Sequence, residues 1–267
     1  MELIKEYCLK EKQKIKEKVE KLKKKPALAI IELNDDAASK TYVKGKLSDC
    51  EEVGIVAFLY HLATCITQED LLDLIEVLNE NPEINGIIVQ LPLPKSIDYQ
   101  KIKLSIDPIK DVDGFHPLSL YDAATPKGII RYLDDQSYSY NGKNALIIGR
   151  SDLVGKPMAH LLLDKNMNVT VVHSKTSSID LRFYIEYADL IIVAVGKAHL
   201  VDNEYKFKKD CIIFDVGINI DPLTHKLIGD CDKNLNVSFQ SPVPGGVGLL
   251  TRLSLIKNVM EAYNNEI

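Results

Sequence analysis

Ala145-Leu146-Ile147-Ile148-Gly149-Arg150-Ser151-Asp152-Leu153-Val154-Gly155-Lys156-Pro157 is the stretch on which the reading of this 267-residue chain turns. Four consecutive apolar residues predict a buried strand, the glycines mark a tight turn, and Pro157 suits the first turn of a helix over Lys156 to Lys165. The first backbone N–H groups of a helix have no partner within it, so strand, turn and helix N-terminus together form a cradle for a phosphate. A tight strand-to-helix connection without a ligand is the alternative that this stretch alone leaves open. The G-x-S-x-G elbow of serine hydrolases is excluded, because position 153 is Leu.

The spacing departs from the G-x-G-x-x-G dinucleotide fingerprint at its second glycine, where Ser151 stands, and its third glycine is displaced. Strands are expected next at Val169 to Val172, Leu190 to Val195 and Cys211 to Asp215, with helices between the first three, which makes a second α/β unit after Asn141-Gly142. A site for NAD usually has an acid at the end of the second strand for the ribose 2′-OH. Here that strand runs into His173-Ser174-Lys175-Thr176, no acid follows before Asp180, and Arg150, one of four Arg, sits in the turn itself. The expectation is a 2′-phosphate site, hence NADP, with NAD the lesser candidate.

Upstream, Ala27 to Leu33, Ile55 to Tyr60 and Gly86 to Gln90 read as strands. A polar turn at Asn34-Asp35-Asp36 leads into a helix ending near Val53, and Gln68 to Asn79 is a second helix, so the first hundred residues predict repeated βαβ units and a parallel sheet. Ile4, Cys8, Ile15, Val19 and Leu22 recur at helical spacing among ten Lys and five Glu, which reads as a solvated amphipathic helix. The stretches 107 to 128 and 238 to 248 are expected as loops, the second before a last helix from about Leu250 to Tyr263.

Composition narrows the function classes. A net charge of −5 argues against a dedicated nucleic-acid protein, and no apolar run approaches a membrane span. The Lys/Glu-rich start carries no Arg and resembles neither a signal peptide nor a presequence, so a cytoplasmic location is expected. Cys8, Cys50, Cys65, Cys211 and Cys231 are odd in number and never spaced C-x-x-C, which argues against a disulfide framework and a zinc site.

Three further features carry chemistry. Tyr42 and Lys46, four apart, share a helix face with Ser39 one turn earlier; taken alone, Lys46 is one of 29 Lys and reads as solvated. Gln90 closes a strand before Leu91-Pro92-Leu93-Pro94, at the end of a parallel sheet where ligands bind. Asp111-Val112-Asp113-Gly114-Phe115-His116-Pro117 suits a turn or a ligand clamp, and two acids without further clustered ligands argue against a metal. Ser241 to Gly248, rich in Pro and then Gly, allows close backbone approach to a ligand or serves as a plain linker.

In this order, Tyr42 to Lys46, Val89 to Pro94, Lys110 to Pro117, Gly149 to Pro157 and Pro242 to Gly248 closely resemble the methylenetetrahydrofolate dehydrogenase/cyclohydrolase family over nearly the whole chain. The resemblance implies NADP-dependent oxidation of 5,10-methylenetetrahydrofolate to the 5,10-methenyl cation and hydrolysis of that cation to 10-formyltetrahydrofolate. It implies that Lys46 is the acid/base residue, that Gln90 holds and tunes it, that Asp113 hydrogen-bonds the pterin and that Tyr42 packs on the aminobenzoyl ring. Gly149, Arg150, Ser151, Ser174 and Ile218 match cofactor contacts, with Arg150 and Ser174 on the 2′-phosphate, and no metal is implied. A homodimer is also implied, with no nucleic-acid or membrane partner. Departures are a short segment between Pro117 and Thr125, Ala124 for a usual Cys, Ser241 for Thr, and Leu249-Leu250 for Pro-Met.

The expected fold is α/β and two-lobed. An N-terminal parallel α/β domain precedes a Rossmann-type NAD(P)-binding domain, and a C-terminal helix returns to the first lobe. The expected division is residues 1–118 plus 253–267 for folate binding and catalysis, and 119–252 for NADP. Other function classes are a monofunctional dehydrogenase of the same family, a reductase of the shikimate dehydrogenase kind, which the Gln90 and Asp113 motifs argue against, and a noncatalytic folate or nucleotide sensor.

Overall fold

The computed structural model describes residues 1–34 and 37–265; Asp35 and Asp36 of the expected polar turn, and Glu266 and Ile267, lie outside the described residues. The chain divides into two compact units, one of Leu9–Ala124 with Arg252–Ile267 and one of Met1–Cys8 with Thr125–Thr251. The division falls inside α1 (Ile4–Glu20) and α8 (Val247–Asn265).

The first unit is built on β1 (Ala27–Glu32), β2 (Val56–His61) and β3 (Gly86–Gln90), all parallel in the order β2-β1-β3. Central β1 is buried at every position, as its apolar run Ala27–Ile31 requires, and the burial extends to Glu32 at its end. Alternate residues Ala29, Ile31, Ile87 and Val89 pack with Leu71, Ile75 and Leu78 of α3 (Gln68–Glu80). Register aligns Glu32 with His61 on one side and Gln90 on the other, so the three strands end together. Helix α2 (Ala37–Val53) connects β1 to β2, while α4 (Tyr99–Ser105) follows β3 and has no counterpart in the sequence expectation. The α4 pattern is short, one buried Ile102 in seven residues, too little to show a helical period.

The second unit has five parallel strands in the order β10-β7-β6-β4-β5, comprising β4 (Asn144–Ile148), β5 (Asn168–Val172), β6 (Leu190–Val193), β7 (Ile212–Asp215) and β10 (Phe239–Gln240). The chain leaves β4 for β5 on one side, then crosses to β6 on the other, and that reversal opens a crevice at the strands' C-terminal ends. Helices α6 (Gly155–Asp164) and α7 (Ser178–Tyr187) make the crossovers. The hairpin of β8 (Asn219–Ile220) and β9 (Leu227–Ile228) stands apart from the sheet. Two stretches expected as loops carry structure: α5 (Ala124–Asp135) starts inside 107–128, and β10 and the first two residues of α8 lie inside 238–248. Helix α5 escapes notice because Thr125-Pro126-Lys127-Gly128 reads as a turn, yet Pro is tolerated in a helix's first turn and Ile129, Tyr132 and Leu133 are buried behind it.

Among the described residues no helix is long and apolar enough to cross a membrane. None of the five cysteines is joined in a disulfide.

Lys110, which opens the Lys110–Pro117 motif, serves the fold: its buried Nζ donates to Leu78 O at 3.1 Å and Asn81 O at 2.7 Å, satisfying carbonyls at the end of α3. Lys110→Met keeps the apolar stem and leaves those carbonyls unsatisfied. Urea denaturation is expected to show a loss of about 1–3 kcal/mol; an unchanged midpoint would show that the carbonyls find other partners.

Candidate active site

Gln90 is the last residue of β3 and Lys46 lies on the inner face of α2, where Val43, Lys46, Cys50 and Val53 are all buried. Lys46 Nζ donates to Gln90 Oε1 at 3.1 Å. The Gln90 amide cannot flip without loss, because its Nε2 donates to Leu91 O at 2.9 Å and so keeps Oε1 toward the lysine. The Tyr42 ring centroid is 5.2 Å from Nζ, as the four-residue spacing on α2 requires. Burial pushes the Lys46 ammonium below its ordinary 10.5, and Asp113 and Cys50 oppose this. Cys50 is a weak opponent at neutral pH, since burial, reinforced by Asp49, pushes its thiol up to about 12 and keeps it uncharged. The arrangement is a buried amine with one N–H held by an amide and a carboxylate within electrostatic reach.

Asp113 sits in a turn fastened by the other acid of its motif, Asp111, and by Asn258, which sequence reading did not single out. The buried Asp111 carboxylate accepts from His116 N at 2.7 Å, and its Oδ1 has no partner among the described residues. Burial pushes Asp111 up to about 7, with the neighbouring Asp113 charge adding to it, so it is part-protonated at neutral pH. From α8, the buried Asn258 donates to Val112 O at 2.8 Å and Asp122 O at 3.3 Å, tying the C-terminal helix to this turn. A Cβ at Gly114, where φ is +70°, would meet Ala123 N at 2.5 Å, so the motif's glycine is required twice over.

Arg252 of α8 is the other unanticipated neighbour. Its Nε is 3.0 Å from Asp49 Oδ2, and Asp49 also pairs with Lys12 at 3.2 Å. The guanidinium lies against α2 one residue before Lys46: a Cβ on Gly45 would stand 1.8 Å from Arg252 Nη1.

In the five-stranded unit the Gly149–Gly155 turn leaves β4 with Gly149 at φ +123°, and a Cβ there would lie 2.3 Å from Ala194 O at the end of β6. A Cβ on Gly155 would lie 2.4 Å from Gly149 O. Both glycines are therefore demanded by close backbone approach. Ser151 accepts from Val154 N at 3.2 Å and Gly155 N at 3.4 Å, so the residue at the second-glycine position braces the turn that leads into α6. Because Ile148 pairs with Val172, Arg150 and Ser174 each lie two residues beyond one register line, at the same sheet end, and both are exposed. Asp180, the first acid after β5, is occupied in capping α7, where Ser177 Oγ donates to its Oδ2 at 2.7 Å. No carboxylate of β5's own end faces a ribose 2′-OH, and the donor set suits a phosphate.

Ile218 follows β7, exposed, in a segment organised by two buried acids that carry no recognisable motif. Asp215 accepts from the backbone N–H of Gly217, Asp230 and Cys231 at 2.8–3.0 Å. Asp230 accepts from the backbone N–H of Val195, Gly196 and Lys197. Burial raises the Asp215 carboxyl above its ordinary range, opposed by the Asp230 and Cys231 N–H groups. Among the described residues no group of three or more His, Cys, Asp or Glu is arranged to hold a metal.

Comparison with known proteins places these features in context. The tetrahydrofolate dehydrogenase/cyclohydrolase catalytic domain matches residues 4–113, and the NAD(P)-binding domain of the same family matches residues 123–267. The chain is similar to the bifunctional protein FolD of Aliarcobacter butzleri, 44% identical over 269 residues that cover 94% of this chain and 92% of the relative. The crystal structure of the bifunctional enzyme FolD, methylenetetrahydrofolate dehydrogenase/cyclohydrolase, from Campylobacter jejuni matches with a TM-score of 0.95 at 41% identity, covering 100% of both chains. A Trypanosoma brucei N5,N10-methylenetetrahydrofolate dehydrogenase-cyclohydrolase, complexed with NADP cofactor and inhibitor, matches with a TM-score of 0.93 at 29% identity, covering 98% of this chain and 96% of that one.

The lowered Lys46 value has a measurable sign. The unfolded chain keeps that proton up to the ordinary 10.5 and the folded chain gives it up earlier, so stability rises with pH across that window. Lys46→Met removes both the buried amine and the slope. Its thermal midpoint at pH 7 is expected to exceed the parent's in scanning calorimetry, with the gap closing toward alkaline pH. A midpoint below the parent's at pH 7 would show that the bond to Gln90 outweighs the cost of burial.

Proposed function

The chain belongs to the tetrahydrofolate dehydrogenase/cyclohydrolase family, and from that premise we propose that Lys46 and Gln90 carry its chemistry, with Tyr42 and Asp113 binding the folate. It is a bifunctional enzyme that oxidises 5,10-methylenetetrahydrofolate with NADP and hydrolyses the resulting 5,10-methenyl cation to 10-formyltetrahydrofolate. The observation that carries the assignment is the fully buried Lys46 amine held 3.1 Å from Gln90 Oε1 at a strand's C-terminal end.

Addition of water to the methenyl carbon forms a C–O bond and releases a proton. An amine below its ordinary pKa has a lone pair to take it, and Gln90, by holding one N–H, fixes where that lone pair points. Opening of the ring breaks a C–N bond as the added hydroxyl becomes the formyl C=O: the departing nitrogen takes back the proton held by the new ammonium, and the hydroxyl's own proton passes to solvent as the net proton released. Asp113 and the Tyr42 ring favour the charged form in between. Asp113, half-buried beside Gly114, accepts hydrogen bonds from the pterin's N–H groups, and Tyr42 offers its ring to the aminobenzoyl group.

NADP fits the five-stranded unit, where Gly149 and Gly155 leave no room for side chains and no acid ends β5. Gly149, Arg150, Ser151, Ser174 and Ile218 are assigned to hold it, with Arg150 and Ser174 on the 2′-phosphate. When bound it supplies hydride acceptance. The folate-binding catalytic domain is assigned to residues 1–118 with 253–267, and the NADP-binding domain to 119–252.

A homodimer is part of the reading, and β2 supports it. This strand is one edge of its sheet, yet Val56, Phe58 and Leu59 are each more than 40% exposed. An apolar strand with an unpaired edge is a pairing surface that monomers normally blunt. Neither nucleic acid nor membrane is assigned as a partner, in keeping with the acidic balance of the chain, and the cytoplasm is the assigned location.

Purified protein given 5,10-methylenetetrahydrofolate and NADP should reduce the cofactor, and given the methenyl compound alone should accelerate its hydrolysis. Lys46→Met should lower that hydrolysis by about 100-fold or more; hydrolysis near the parent's rate would remove Lys46 from the mechanism. Phe58→Asp should convert a dimer into a monomer at micromolar concentration in sedimentation velocity, and a dimer of unchanged affinity would move the interface away from β2.

A further inference from the structure

The loops after β6 and β7 hang from a single carboxylate. Asp230 is 0% exposed, and its Oδ2 accepts from Val195 N at 2.8 Å and Gly196 N at 2.9 Å, while its Oδ1 accepts from Lys197 N at 2.8 Å and Asn219 Nδ2 at 2.9 Å. Its own carbonyl accepts from Leu200 N at 2.7 Å and Val201 N at 3.2 Å. Four donors on one ionised group are charge-assisted bonds away from water, which makes this a stiff point in the loops.

The geometry admits little slack. A Cβ on Gly217 would stand 2.1 Å from the Asp230 carboxyl carbon, and one on Gly229 would stand 1.9 Å from Asp215 Oδ2. Asp215 in turn accepts from Gly217 N and from Asp230's own N–H, so the two carboxylates clamp each other's loops. The clamped segments are those that follow β6 and β7 at the C-terminal ends of the sheet. Strand β6 is the neighbour of β4, and Ala194 O at its end defines the space beside Gly149.

We propose that Asp230 is a positioning residue for NADP, holding the 195–197 turn and, through Asn219, the segment carrying Ile218 where the dinucleotide lies. This rests on the NADP assignment above. Asp230 itself, fully enclosed, acts only through the loops it ties.

The test uses the full chain and NADP as the probe, with its Kd from titration calorimetry and KM values from steady-state kinetics. Asp230→Asn keeps the shape, but each oxygen accepts two bonds, so its amide NH2 must face one donor pair. The Kd and KM for NADP should rise by about tenfold or more, as expected when binding groups are displaced, while KM for 5,10-methylenetetrahydrofolate stays within about threefold, the effect of losing a single hydrogen bond. A role confined to stability would reduce the active fraction and leave both KM values in place. Folded Asp230→Asn with the parent's NADP affinity overturns the proposal. If that variant does not fold, Asn219→Ala decides: it withdraws one donor and should weaken NADP about threefold, and unchanged affinity overturns the proposal equally. A parent chain that hydrolyses the methenyl compound yet binds no NADP would overturn the cofactor assignment, and this role with it.

Discussion

The Lys46 amine, taken out of water by the packing of α2 on a parallel sheet, can keep a partner without being locked in its charged form only if a neutral acceptor waits at the strand end beside it. Gln90 is that acceptor, and its own N–H group is committed to Leu91 O. A carboxylate at position 90 would have stabilised the ammonium and held its proton; an apolar residue would have left the amine without this bond. Much of the first unit answers to this arrangement. Strands β1, β2 and β3 must end in register for Gln90 to sit at the edge, and Asp113 must reach the charged form without trapping it. Arg252 and Asp49 meanwhile fasten the helix that carries the lysine.

The five-stranded unit follows a different constraint. Backbone N–H groups at the ends of β6 and β7 emerge where a ligand must approach, so side chains that satisfy them have to come from beneath. Asp215 and Asp230 do this from buried positions. The same logic places Ser151 under α6, where its hydroxyl serves the helix from within the turn.

Long apolar runs made most strands legible, and Gly86–Gln90 has the bounds expected of it because Gly and Leu91-Pro92 bracket it. Tyr42, Lys46 and Gln90 were legible as types in suggestive places, but only tertiary contact separates the buried Lys46 and Lys110 from the lysines at the surface. The acids at 215 and 230 left no trace, since fifteen residues separate them and their partners are main-chain groups without identity. Short α4 and Pro-bearing α5 were hidden for the opposite reason: their local chemistry resembles a turn, and burial of Ile102, Ile129 and Tyr132 decides otherwise.

Gly45 shows how this bears on engineering. A glycine inside an exposed helix is an ordinary target for stabilisation, because alanine there gains about 0.5–1 kcal/mol in backbone entropy. At this position the added carbon would stand 1.8 Å from Arg252 Nη1, so the guanidinium must shift against its pairing with Asp49 before alanine fits. Positions 45 and 252 are therefore best exchanged together: shortening the arginine first frees the helix to accept a side chain, whereas a side chain added first must push the guanidinium aside.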